Sequence, residues 1–229
     1  LYEIAGCHRD YVGIAEHPER FVEQVTQWFR NVVGNGRALV ALSGGVDSAV
    51  AWLLARHALG PERVDAVTAN NGFMNESEFD EIMARFNRIA PGAVHGIDRS
   101  EEFYAAIEAI PHSGMPDDDP RYYDAVRRVV GTKFVEVFIR AAKSLPVKPT
   151  CLIQGTNWSD VIESLTGLKR HHNVTGLPER MDLEVVEPLA GLYKMEIRLL
   201  AEHLGLPDDI VLRQPSPGPG NAIRAYGRV

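Results

Sequence analysis

Three observations predict an α/β fold built on a doubly wound parallel sheet. Short apolar runs of strand length alternate with stretches of helical periodicity through the first half of the chain. A pair of glycines, Gly44 and Gly45, stands where the first strand hands over to a helix. The chain's 229 residues, 45% hydrophobic and 24% charged, suffice to bury a core without cross-links.

In order along the chain, residues 17–33 space Phe21, Val25, Phe29 and Val32/Val33 as a helical stripe with Pro18 near its start. After a turn at Asn35-Gly36, "RALVAL" reads as a strand. The next helix carries Val50, Leu53, Leu54 and Leu59 and stops at Gly60-Pro61. A second strand is expected over Arg63–Ala69 and a helix over Ser77–Ala90, with Ser77 as its cap. A third strand follows over Gly92–Ile97, and a helix over Glu101–Ile110. This β-α-β-α-β order argues for parallel strands. "PHSGMPDDDP" (Pro111–Pro120) breaks the rhythm. Its three aspartates allow a metal site, but a solvated loop capping the next helix is the expectation. A long helix from Tyr122 to Leu145 presents Val126, Val130, Phe134, Phe138, Ala141 and Leu145 on one face. Strands at Pro149–Gly155 and Glu184–Pro188 and a helix from Leu192 to Leu204 complete the pattern, and "PSPGPG" (Pro215–Gly220) reads as a rigid loop.

Charge and composition exclude several classes. A net charge of −7 leaves no general basic footprint for nucleic acid. No apolar run has membrane-spanning length, and the start carries no signal-peptide pattern. The two cysteines, Cys7 and Cys151, lie far apart without metal-type spacing, and a reducing cytoplasm is the expected home. The chain begins at Leu1 rather than Met and stops after "AIRAYGRV", so both ends read as cut from something longer or trimmed.

The hexad Ser43-Gly44-Gly45-Val46-Asp47-Ser48 sits between a strand and a helix N-terminus. Glycines there let backbone N–H groups point at an anion, and the helix dipole favours negative charge. Ser43 and Ser48 add hydroxyls. No Gly-Lys-Ser/Thr follows, so this is not the lysine-bearing phosphate loop. An acid inside a phosphate cradle repels its ligand unless a cation accompanies it. Asp47 therefore reads as a Mg2+ ligand bridging metal and phosphates, against the plainer reading of a tight turn with Asp47 capping the helix.

Later segments add charged groups. In "QGTNWSDVIES" (Gln154–Ser164), Asp160 and Glu163 lie three apart on one face of a helical turn; they either orient Mg2+ or cap the helix. "LKRHHNVTGLPE" clusters Lys169, Arg170, His171, His172 and Asn173. Adjacent histidines point apart, so a cationic lid over phosphates fits better than a two-histidine metal site. Arg213 and Arg224 flank the proline- and glycine-rich turn of "LRQPSPGPGNAIR"; read alone, both are surface arginines of a loop.

The hexad resembles that of the ATP-pyrophosphatase (PP-loop) enzymes. Together with "NNG", "GTKFVEVF", "QGTNWSDVIES", "HHNVTGLPE", "VVEPL", "YKMEIR" and "PGPGNAIR", it makes nearly the whole chain resemble the ATP-pyrophosphatase domain of GMP synthetase. The resemblance implies a five-stranded parallel sheet of the adenine nucleotide alpha hydrolase type flanked by helices. Residues 1–34 then form an N-terminal segment and leading helix. Residues 35–229 form the ATP-pyrophosphatase domain, with a lid at about 164–182 and a C-terminal tail at 212–229. It implies that a carbonyl oxygen of xanthosine monophosphate (XMP) or a related acceptor attacks the α-phosphate of ATP, that pyrophosphate leaves, and that ammonia displaces AMP. By position, Ser43, Gly44, Gly45, Val46, Asp47 and Ser48 hold pyrophosphate and Mg2+, while Asn71, Gly72 and Gly155 border the ATP. Asp160 and Glu163 lie toward the acceptor as catalytic groups beside Asp47 and Lys169. The lid brings Lys169, His171, His172 and Asn173, and Arg213 and Arg224 complete the lid and substrate side. A partner glutaminase and a homodimer are further implications, with no nucleic acid or membrane partner.

The sequence also departs from that family. Asn70 stands where an acid is usual, the arginine of the family's "VDNGLLR" is missing, and only "LTGL" separates "IES" from the lid lysine. Thr132-Lys133 replaces an arginine and an apolar residue. The glutaminase and dimerisation domains lie outside these 229 residues. Besides a GMP synthetase fragment, the sequence allows a relative serving another acceptor in specialised metabolism, or a nucleotide-binding regulator without turnover.

Overall fold

The computed structural model describes residues 13–75, 77–111, 120–165 and 183–213. Its centre is a sheet of five strands in the order β3-β2-β1-β4-β5, every pair parallel. The strands are β1 (Ala38–Ala41), β2 (Val64–Asn70), β3 (Val94–Asp98), β4 (Cys151–Ile153) and β5 (Glu184–Val186). Ala38 of β1 sits beside Val64 on one side and Cys151 on the other, so β1 is the central strand and its first three residues are buried.

A strand with both faces covered must be apolar at every position. In β1, Ala38 and Val40 face one layer and Leu39 the opposite one. On the first face pack α1 (Pro18–Val33), α2 (Val46–Leu59) and α7 (Lys194–His203). Helix α2 is buried almost all round, with Trp52 and Leu54 inaccessible and four alanines that let neighbours approach closely. Trp52 meets Phe86 of α3 (Glu78–Ile89) edge to face, ring centroids 5.3 Å apart. On the second face lies α5 (Pro120–Ser144), with Val135, Phe138, Ala141 and Ala142 against Leu39, Val67 and Leu152. Its other end packs Val126, Val130 and Val137 against Phe103 and Ile107 of α4 (Ser100–Glu108). Helices α6 (Trp158–Leu165) and α8 (Asp208–Val211) complete the described elements.

The structure bears out the α/β class and the doubly wound five-stranded parallel sheet. Differences lie at the margins. Pro61–Arg63 forms a 3-10 turn, so β2 begins one residue later than expected and continues to Asn70. Ser77 occupies the cap position of α3, but its hydroxyl donates to Glu81 Oε1 at 2.8 Å instead of closing the helix end. The stripe expected on α5 holds Val126, Val130, Phe138 and Ala141 buried and Phe134 and Leu145 partly so. The aspartates of the Pro111–Pro120 loop and the "PSPGPG" turn lie outside the described residues. No described helix is long and apolar enough to cross a membrane.

Cys151 is buried at the start of β4. Loss of solvation, with Glu184 nearby, pushes its thiol up to about 12. Folding therefore favours the neutral thiol. That contribution to stability is complete below the free thiol's pKa of about 8.5 and is lost as pH rises toward the folded value. In the native chain at pH 8, Cys151 is expected to resist alkylation, and full labelling should require denaturant; peptide mass mapping of the alkylated chain checks this.

Candidate functional site

Because all strands run the same way, the loops after β1, β2, β4 and β5 open at one edge of the sheet, where ligands of such sheets bind. The loop after β1 is the hexad. Gly44 has φ +78°, the left-handed region that favours glycine. The chain then turns directly into α2, with Gly45 at its cap position. Ser48 Oγ donates to Gly45 O at 3.1 Å and accepts from Ser43 N at 3.2 Å. Its own proton thus spent, Ser48 Oγ accepts from Ser43 Oγ at 3.1 Å, which pairs the two hydroxyls at the helix N-terminus. Among the described residues no side chain caps α2. The free N-terminal N–H groups and the dipole remain available to an anion.

The loop after β4 closes directly over this turn. A Cβ on Gly155 would lie 2.6 Å from Ser48 N and 2.7 Å from the Asp47 carbonyl carbon, both backbone atoms that cannot swing away. Glycine at 155 is thus needed for the close approach of two backbones. Two residues on, Asn157 N donates to Asp160 Oδ2 at 3.1 Å, and Asp160 N donates to Asn157 Oδ1 at 3.1 Å. This reciprocal pair caps α6. Asn157 Nδ2 in turn faces Asp47 Oδ2 at 3.4 Å. Asp160 therefore performs the capping role and stands one residue removed from Asp47. Glu163, a turn later on α6, is partly buried.

Asp47 does not cap α2. Its carboxylate is held by Lys194, whose Nζ donates to Oδ1 at 2.8 Å and to Oδ2 at 2.7 Å. Lys194 is the first residue of α7 and lies 147 positions away in sequence. Sequence reasoning misses it: "YKMEIR" is legible as an amphipathic helix start, and nothing in its spacing connects that lysine to the hexad. Among the described residues no three His, Cys, Asp or Glu side chains cluster as a metal cage. The Asp47 carboxylate beside a helix N-terminus is a hard oxygen donor that would suit Mg2+ arriving with phosphates.

At the exit of β2, Asn71 is fully buried and Gly72 has φ +79°. Tyr104 Oη donates to Gly72 O at 2.6 Å, and a Cβ on Gly72 would collide with that ring. Asn70, cross-strand partner of Asp98, donates from Nδ2 to Asp98 Oδ2 at 2.9 Å and accepts from Gly72 N at 2.9 Å. The unusual amide at 70 therefore has a local reason: an acid there would oppose Asp98. Asp98 is itself held below the usual carboxylate range by the Ser100 N–H and hydroxyl, with Asn70 and Arg99 adding to the effect. At the other replaced position, Lys133 pairs with Glu136 on α5 at 2.7 Å.

Arg213 is not the surface arginine that its loop context suggests. Its side chain is only 15% exposed; Nη1 donates to Gly44 O at 2.9 Å, and Nη2 is bonded to the carboxylate of Glu78. Lys169, His171, His172, Asn173 and Arg224 lie outside the described residues.

Comparison with known proteins gives these loops a lineage. The NAD synthase family model matches residues 20–89, which include the hexad. The chain is 43% identical over 211 residues to a subunit of the glutamine-hydrolyzing GMP synthase of Thermococcus kodakarensis, covering 92% of this chain. It is 39% identical over 233 residues to the glutamine-hydrolyzing GMP synthase of Heliobacterium modesticaldum, covering all of this chain. Along nearly its whole length this chain is similar to GMP synthases. It spans 64% of the first relative's length and 42% of the second's. The fold is also that of an NMN synthetase from Francisella tularensis, with a TM-score of 0.63 at 18% identity over 88% of this chain and 76% of that one.

Replacing Asn70 by Asp is expected to set two carboxylates against each other across β2 and β3. The variant should be less stable by about 1 kcal/mol near pH 7, and the deficit should shrink at a pH low enough to protonate one of them. Urea unfolding of both chains at two pH values checks this; an equal deficit at both would place the cause in packing.

Proposed function

We propose that this PP-loop domain adenylates a carbonyl oxygen of XMP or a closely related acceptor at the expense of ATP, releases pyrophosphate, and lets ammonia displace AMP to leave an amine. The observation that carries the reading is the Asp47–Lys194 pair set against an uncapped helix N-terminus. An anion cradle with both an acid and an ammonium at its mouth suits a triphosphate accompanied by a metal. It is a poor site for a neutral ligand.

Mg2+, when bound, neutralises phosphate charge. The chain's own groups do the rest. Backbone N–H groups of Gly45, Val46 and Asp47 and the hydroxyls of Ser43 and Ser48 hold the departing pyrophosphate. Asp47 would hold the metal, and Lys194, whose ammonium lies at that carboxylate, would supply positive charge beside the phosphates as charge grows on the leaving group. Asn71, Gly72 and Gly155 border the nucleotide. Asp160 and Glu163 face the acceptor side. Lys169, with His171, His172, Asn173 and Arg224, closes over the phosphates. Most of the rate comes from holding acceptor and α-phosphate in line and from electrostatic stabilisation. Ammonia comes from a partner glutaminase or from solution, and the working enzyme is a homodimer in the cytoplasm.

A second acceptor is favoured by one observation. Asn70, bound to Asp98, puts a neutral amide where the family usually has an acid, which alters the edge of the nucleotide site. A carbonyl-bearing metabolite other than XMP fits that change.

The deciding experiment follows pyrophosphate, AMP and GMP from MgATP and ammonium, with and without XMP. GMP formation supports the first reading; AMP and pyrophosphate without dependence on XMP support the second; tight ATP binding without turnover supports a regulator. Asp47→Ala and Lys194→Met are each expected to lower pyrophosphate release by at least about a hundredfold, as loss of one preorganised electrostatic group does, with unchanged circular dichroism. Lys169→Ala is expected to lower kcat more than it raises KM for ATP. An equal effect on both would put that lysine in ground-state binding.

A further inference from the structure

We infer that Arg213 is a positioning residue for the phosphate cradle, and that it acts by fixing the Gly44–Gly45 peptide. The inference rests on the PP-loop reading above and goes beyond it by assigning a device that sets which way one anion-binding N–H points.

A peptide unit is planar, and no described peptide is cis. The carbonyl of Gly44 and the N–H of Gly45 therefore point in opposite directions from one rigid plate. Arg213 Nη1 donates to Gly44 O at 2.9 Å from the side of α3. The Gly45 N–H is thereby aimed the other way, toward Ser43 Oγ at 3.4 Å, the side on which the paired hydroxyls and the α2 N-terminus lie. That bond is long, so the N–H is aimed at the cradle yet weakly engaged there.

The plate would otherwise be free to turn. Gly44 sits at φ +78° and is followed by a second glycine, so two adjacent residues without side chains flank it. A Cβ on Gly44 would lie 2.5 Å from Arg213 Nη1 and 2.6 Å from Ile82 Cδ1. The missing side chain is the space the guanidinium occupies. Glycine here does two things: it permits the turn, and it admits the arginine that holds the turn.

The guanidinium is itself anchored. Nη2 is bonded to Glu78, which is 7% exposed, and the other oxygen of Glu78 accepts from Asn75 N at 2.9 Å. Asn75 ends the loop that leaves β2 with Asn71 and Gly72. Arg213 thus joins the phosphate side of the site to the loop on its nucleotide side. A buried ion pair is a poor source of net stability compared with apolar residues of similar size, so its geometry is its more useful property. Only an arginine serves here, because two partners in different directions need the planar fork; a lysine ammonium can keep the carboxylate but not both at those angles.

The test compares Arg213→Lys with wild type on the whole chain. The lysine preserves the charge opposite Glu78 and so protects the fold, which thermal unfolding checks. Inorganic pyrophosphate is the probe, measured by calorimetry, and the Gly45 amide is followed by 15N–1H spectroscopy. The expected result is a shifted Gly45 resonance in the ligand-free variant, pyrophosphate affinity about tenfold weaker, and a raised KM for ATP with kcat little changed. Glu78→Gln should move all three readouts the same way by less. A folded Arg213→Lys chain with wild-type pyrophosphate affinity overturns the proposal and leaves the ion pair structural, as does a wild-type chain that binds no pyrophosphate. Wild-type binding of pyrophosphate without AMP formation defeats the reaction proposed above while leaving this comparison intact.

Discussion

Parallel strands constrain everything else in this molecule. They can be joined only by crossovers, so each strand-to-helix loop leaves from the same edge. With β1 central and β2 and β4 on either side, residues 43, 72, 155 and 157 share that edge although the loops that carry them are far apart in sequence. The close approach of Gly155 to the backbone of Asp47 and Ser48 is the tightest expression of this, since the loops of adjacent strands touch main chain to main chain.

Onto that frame the chain places a loop gripped by cations on two flanks. Lys194 holds the Asp47 side chain, and Arg213 holds the Gly44 carbonyl. Both come from the last described part of the chain, and both carry the charge that a phosphate cradle needs nearby. The acid at 47 is unfavourable for anion binding taken alone. Surrounded by an ammonium, an amide from Asn157 and a helix N-terminus, it is a carboxylate held in place by three favourable neighbours.

The fold is legible because its signals are local. Strand–glycine–helix succession, the stripe on α5 and the buried runs of β1 and β2 each lie within one window of sequence. The hexad is legible for the same reason. Lys194 and Glu78 are not, because their roles depend on which helices pack side by side. "YKMEIR" and "NESEFD" show only amphipathic helices with charged starts. Arg213 reads as exposed and is not, since a proline- and glycine-rich neighbourhood says nothing about the carbonyl it reaches. Asp160 illustrates the opposite case. Its spacing allows both capping and metal work, and the bonds with Asn157 show the capping side of that choice. Asn70 reads as a loss against the family pattern and proves to be a partner for Asp98.

The separation of 147 residues between Asp47 and Lys194 has a consequence for how the protein comes into being. A ribosome adding roughly 5–20 residues per second delivers the acid roughly seven to thirty seconds before its counter-ion. Through that interval the nascent chain displays a glycine-rich anion loop carrying an uncompensated negative charge, with α7 not yet available to pack beside it. Asp47 therefore meets its counter-ion only after the helix that begins at Lys194 has emerged and docked.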